Sequence, residues 1–109
     1  MWKIDKGKTS GTTTDAYVSS LTWNCAELRE KTIHLFNNHA TASLYYKLLG
    51  RYSGEQTPGR EDILVNEISL AAGEDARFQY SNQYEQLILQ VKNNSAVASY
   101  EINYIGQGA

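Results

Sequence analysis

Ser43-Leu-Tyr-Tyr-Lys-Leu-Leu-Gly-Arg-Tyr-Ser53 is the stretch that decides the fold class. Read with a period of two, it puts Leu44, Tyr46, Leu48 and Tyr52 on one face and Tyr45, Lys47, Leu49 and Arg51 on the other. A half-buried β-strand has this alternation, whereas a helix would repeat its apolar residues every three to four positions. The run ends in Gly54-Glu55-Gln56-Thr57-Pro58-Gly59, which is rich in turn formers and holds the chain's only proline.

The same period recurs on both sides. Upstream, Tyr17, Leu21 and Trp23 alternate with Val18, Ser20 and Thr22, and Thr32–Asn37 alternates Ile33 and Leu35 with His34 and Phe36. Downstream, Asp62–Leu70 carries Ile63, Val65, Ile68 and Leu70, with a change of phase at Asn66-Glu67 that predicts a bulge. Ala76, Phe78 and Tyr80 form the next strand, then Leu87, Leu89 and Val91, then Ala98, Tyr100, Ile102 and Tyr104. Asn93-Asn94-Ser95 reads as a hairpin turn. Cys25–Lys31 has helix formers but is too short for a stable helix, so it reads as a loop or single turn.

Seven to eight short strands at regular spacing, with connections too short for crossover helices, predict an all-β antiparallel sandwich, Ig-like or jelly-roll. Its expected core is Leu21, Trp23, Ile33, Leu35, Leu44, Tyr46, Leu48, Ile63, Val65, Phe78, Leu87, Leu89, Val91, Tyr100 and Ile102. The 109 residues fit one domain. Lys6–Asp15, KGKTSGTTTD, has no apolar residue to bury, so residues 1–15 read as an extended N-terminal arm and 16–109 as the sandwich. Trp2 and Ile4 sit at the arm's tip. Such an arm needs something to hold it, either the domain's own flank or a neighbouring chain.

Function classes fall away in turn. Twelve acidic against ten basic residues argue against nucleic acid. No segment approaches a membrane span of about 20 apolar residues. The N-terminus lacks the apolar core of a secretion signal, which predicts synthesis in the cytoplasm. Cys25 is the only cysteine and reads as a small, semi-buried hydrophobe. His34 reads as a sheet-surface residue and His39 as a turn residue; neither belongs to a metal-binding or catalytic motif. The acidic residues are scattered, and Glu61-Asp62 and Glu74-Asp75 point to opposite faces of any strand they share. No phosphate loop or nucleophile motif is present. A non-enzymatic protein without cofactor or metal is expected.

Eight tyrosines and two tryptophans remain to be explained. Tyr45 and Leu49 lie on the Lys47/Arg51 face, and tyrosine beside arginine is typical of protein contacts. The ordinary alternative is that Tyr45 covers a sheet edge. The candidate interface residues are Trp2, Ile4, Tyr17, Tyr45, Leu49 and Arg51.

Lys31–Ser53 (KTIHLFNNHATASLYYKLLGRYS), Ile68–Asn93 (ISLAAGEDARFQYSNQYEQLILQVKN) and Ser99–Gly106 (SYEINYIG) together resemble small β-sandwich proteins of tailed-phage virions, of the decoration (cement) or accessory type. The likeness lies in a strand ending at Asn-Asn, a small-residue turn and an aromatic strand. The resemblance implies a structural protein located in the virion. It would bind major capsid or tail subunits, and itself in a symmetric homo-oligomer, through terminal arms. A second reading is a carbohydrate-binding module, which needs exposed coplanar aromatics such as Tyr45 with Tyr52 or Trp23.

Overall fold

In a computed structural model, residues 3–81 and 84–108 are described. They form eight strands: β1 (Lys3–Thr12), β2 (Val18–Asn24), β3 (Glu30–Phe36), β4 (Leu44–Arg51), β5 (Asp62–Leu70), β6 (Asp75–Tyr80), β7 (Gln86–Asn93) and β8 (Ser99–Gly108). Two four-stranded antiparallel sheets result, ordered β1-β8-β3-β6 and β2-β7-β4-β5. We call them sheets A and B. Only β4 and β5 are consecutive strands that also pair; every other connection passes from one sheet to the other. That order is a jelly roll, which settles the choice between Ig-like and jelly-roll arrangements.

The core lies between the sheets. Ile33, Leu35, Phe78, Tyr100 and Ile102 face inward from sheet A. Leu21, Trp23, Leu44, Tyr46, Leu48, Leu87, Leu89 and Val91 face them from sheet B. These are the alternating residues of the sequence pattern, and fully burying each contributes roughly 1.5–3 kcal/mol against the entropy of ordering the chain. Tyr46 and Phe78 meet edge-on across the sheets at 5.5 Å.

Four expectations are corrected. Residues 3–12 are not a separate arm: they pair along their whole length with β8, from Lys3 opposite Gly108 to Thr12 opposite Ser99. The domain's own flank holds them. Asn93–Ser95 does not close a hairpin, because β7 and β8 belong to different sheets. The bulge at Asn66-Glu67 is present, with Tyr46 opposite Ile68 but Leu48 opposite Val65. A second irregularity then places Ile63 opposite Leu49 on the outer face of sheet B. Ile63 is consequently 59% exposed rather than part of the core. Finally, Cys25 is fully buried, and its neighbour Leu28, absent from the expected core, packs within it.

β1 holds its place without apolar side chains of its own. Its inward positions are Asp5, Gly7, Thr9 and Gly11, and Tyr104 and Tyr100 of β8 stand opposite the two glycines. A Cβ on Gly7 would lie 2.6 Å from Tyr104 Cζ, so the tyrosine ring occupies that space. The ring also packs on Trp23 at 4.9 Å. Trp23 in turn donates its indole N–H to Asp5 Oδ2 at 2.8 Å. Tyrosines of one strand therefore cover the glycines of the next, and the edge is closed by a hydrogen bond between the sheets.

Candidate functional site

Tyr17, Tyr45, Leu49 and Arg51 come together on the outer face of sheet B. Cross-strand pairing builds this face in rows: Tyr45 beside Lys92 and Ser69, Lys47 beside Gln90, Leu49 beside Ile88 and Ile63, and Arg51 beside Gln86.

At one end, Tyr17 reaches over the sheet from the residue before β2. The Lys47 ammonium lies 4.3 Å from its ring centre and that of Lys92 5.1 Å. Lys92 is also 5.6 Å from the Tyr45 ring. The Tyr17 hydroxyl donates to Glu67 Oε1 at 2.7 Å, and Lys92 stands 3.7 Å from the same oxygen. Two aromatic faces and one carboxylate thus share two cations. Burial, and then the Glu67 carboxylate, push the Tyr17 phenol well above its ordinary range. The hydrogen bond from Tyr17 draws the Glu67 carboxyl below its own.

At the other end lies a groove of about 530 Å³. Its floor is Leu49, Ile63 and Ile88, and Pro58, Gly59 and Glu61 of the β4–β5 loop wall it. Leu49 and Ile88 are buried although they point outward. Gly59 turns the loop at φ 90°, a conformation side chains rarely adopt. Arg51 is drawn into the same loop: it donates to the Gln56 carbonyl and stands 3.7 Å from Glu61. Two buried polar atoms at this end, Arg51 Nε and Gln86 Oε1, have no hydrogen-bond partner within the described residues.

The remaining candidates lie elsewhere. Ile4 is on the outer face of sheet A, 60% exposed. Trp2 lies outside the described residues. Trp23 is 3% exposed and serves the core. Tyr45 and Tyr52, seven residues apart on alternating phases, face opposite ways and form no platform; Tyr52 instead stacks on Tyr84 at 5.4 Å. Asp62 accepts hydrogen bonds from the hydroxyls of both Tyr52 and Tyr84. Sequence reasoning missed this trio because Tyr84 follows the break in pattern at Asn82-Gln83.

His34 sits on the outer face of sheet A, 2.8 Å from Asp75. His39 is a turn residue whose Nδ1 accepts from the amides of Thr41 and Ala42. Among the described residues no group of three or more histidine, cysteine, aspartate or glutamate side chains is placed to hold a metal.

No protein-family model and no curated protein matches the chain. Solved structures do share its fold. A chain of Bacillus endospore appendages, described as disulfide-linked pili, superposes with a TM-score of 0.67 at 17% identity, covering 99% of this chain and 88% of that one. PirA gives 0.63 at 12% identity, covering 90% and 92%. The SPBc2 prophage-derived protein YomS gives 0.52 at 12% identity, covering 95% and 96%. At these identities the likeness establishes the jelly-roll fold, shared by proteins of different roles.

Proposed function

We propose that this chain is a non-enzymatic structural subunit. It self-associates in symmetric copies and binds other subunits of a particle, in the manner of an accessory or decoration protein of a tailed-phage virion. The observation that carries the reading is the outer face of sheet B, where Tyr17, Tyr45, Lys47, Lys92 and Glu67 form an ordered polar–aromatic cluster beside an aliphatic groove. Aromatic anchors within hydrogen-bonding surroundings are the usual make-up of a protein contact. The pilus structure that shares the fold is consistent with use in a multi-copy assembly. Cys25 is buried, so its thiol is not presented for a disulfide between copies of this chain.

Light scattering across a concentration series tests the reading. The wild type should form a defined oligomer, and the double substitution Tyr45→Ala and Lys92→Ala should shift it toward the 12.2 kDa monomer while it stays folded. A wild type that remains monomeric at every concentration up to millimolar overturns the proposal. The sugar-binding reading is less well supported: Tyr45 pairs with neither Tyr52 nor Trp23, and the pair that does form, Tyr52 with Tyr84, is tilted by 37° rather than coplanar.

A further inference from the structure

The sandwich has four sheet edges: β1 and β6 in sheet A, β2 and β5 in sheet B. An open edge presents unpaired backbone groups to any extended chain, and proteins blunt such edges with bulges or brevity. β2 carries a bulge between Ser19 and Leu21, and β5 carries two irregularities. β6 spans only six residues. β1 has neither protection. It runs for ten residues in unbroken register, and no strand pairs with its outer side among the described residues.

What β1 does carry is lysine. Its solvent-facing alternate positions are Ile4, Lys6, Lys8, Ser10 and Thr12, with no acidic residue among them; Lys8 stands 3.1 Å from Glu101 of the adjoining β8. Lysines on an edge repel a neutral or basic strand. They also exclude a second copy of β1, because antiparallel registers centred on the strand set Lys6 or Lys8 against a lysine of the other copy. An acidic strand meets no such penalty. We propose that β1 is a docking edge for an extended acidic segment of another protein, which adds to sheet A as a fifth strand. Carboxylates at two alternate positions would face Lys8 and Lys6, and an aliphatic residue at the next alternate position would meet Ile4. Beside this row lies a groove of about 490 Å³ whose lining includes Ile105, 50% exposed, and Thr32. It gives the added side chains an apolar surface to lean on. The inference rests on the assembly reading by naming the chemistry of one partner, but it uses a different surface.

The test is a titration of the full chain with a labelled eight-residue peptide. The peptide carries glutamate at two alternate positions, valine at the third and threonine between. Fluorescence anisotropy should show saturable binding, and hydrogen exchange at the amides of residues 3–12 should slow when the peptide is present. Lys6→Glu with Lys8→Glu should weaken binding about tenfold or more and create binding for the same peptide with lysines in place of glutamates. Absence of saturable binding, or binding indifferent to the charge reversal, overturns the inference. So does binding without added protection in β1, which would mean charge attraction alone. Light scattering on the same samples separates the two proposals. A chain that oligomerises but ignores the peptide leaves the assembly reading standing. A monomer that binds the peptide removes self-association and keeps the edge. An oligomer that dissolves on the Lys6/Lys8 reversal would assign the edge to a second copy and end the claim of an acidic partner.

Discussion

Gly7 and Asn37 show how much of this fold rests on single positions. The ring of Tyr104 fills the space above Gly7 and is itself held against Trp23, so it has little room to retreat. Gly7→Ala should therefore destabilise the protein by about 1–3 kcal/mol, read as a lower urea midpoint. The same change in a Tyr104→Leu background should cost less. Asn37 is fully buried; its Nδ2 donates to the carbonyls of Ala42 and Leu70, and its Oδ1 accepts from the His39 amide. Asn37→Ala should cost roughly 3 kcal/mol, about one for each bond. Asn37→Asp should be worse at neutral pH, because a carboxylate would face two carbonyl oxygens. Nothing in the Asn37-Asn38 dipeptide marks this role, since a turn asparagine and a buried tether are the same letter in a sequence.

The ionisable tyrosine–carboxylate pairs give stability a defined pH window. Asp62 is held below its ordinary value first by the Tyr52 hydroxyl and then by that of Tyr84; Glu67 is held down by Tyr17. A carboxyl lowered by folding contributes above its unfolded value, near pH 4, and loses that contribution as pH falls through the folded one. Tyr84, raised chiefly by Asp62, and Tyr17, raised chiefly by burial, act in the opposite sense. Their contribution is complete below the unfolded tyrosine value near pH 10 and is lost above it. Urea midpoints measured against pH should form a plateau between these limits. Asp62→Asn should flatten the acid limb, and Tyr17→Phe should flatten the alkaline one.

At the scale of the element, β1 marks where the sequence stops being readable. Most strands announce themselves through inward-facing apolar residues, and the bulge at Asn66-Glu67 is visible as a slip in that rhythm. β1 gives no such signal because the side chains that fill its inner face are supplied by β8. Tyr100 and Tyr104 appear in the sequence only as the apolar phase of their own strand. Ile63 failed for a related reason: the second irregularity in β5 reverses its phase, and no residue type marks the position. Of the candidate interface, the alternation placed Tyr45, Leu49 and Arg51 on one side of the sheet, but it grouped Tyr17 with the inward Leu21 and Trp23, because the bulge between Ser19 and Leu21 is not marked by any residue type. It could not foresee that the loop from Tyr52 to Glu61 folds back over Leu49 and engages Arg51. Since β1 is structural, removing residues 1–14 should not release an arm from an intact domain. It should uncover Tyr100 and Tyr104 and broaden or abolish the thermal transition in calorimetry. Asp5→Ala, which only deprives the Trp23 indole of its acceptor, should cost about 1–3 kcal/mol and leave the transition cooperative.

For the whole molecule, the all-β class was legible because alternation is local, whereas the strand order was not. The one connection that turns back within a sheet, residues 52–61, is the longest, and the crossings are as short as hairpin loops. Asn93–Ser95 reads as a hairpin turn and is part of a crossing. Crossing at nearly every connection also means that neither sheet is contiguous in the chain, so the two must form together. β1 cannot pair until β8 has been made, which predicts slow folding with one kinetic phase. Stopped-flow refolding that showed sheet A protected well before sheet B would contradict this.

That same pairing brings Lys3 and Gly108 side by side across one ladder. The two ends of the described chain thus lie at a single corner of the domain. The chain is therefore topologically close to a ring. A short glycine–serine bridge between those two residues, with new ends cut in the exposed loop around Gly54, would yield a circular permutant with every strand in place. By the same geometry the domain could be inserted into a surface loop of a host protein without prising that loop apart.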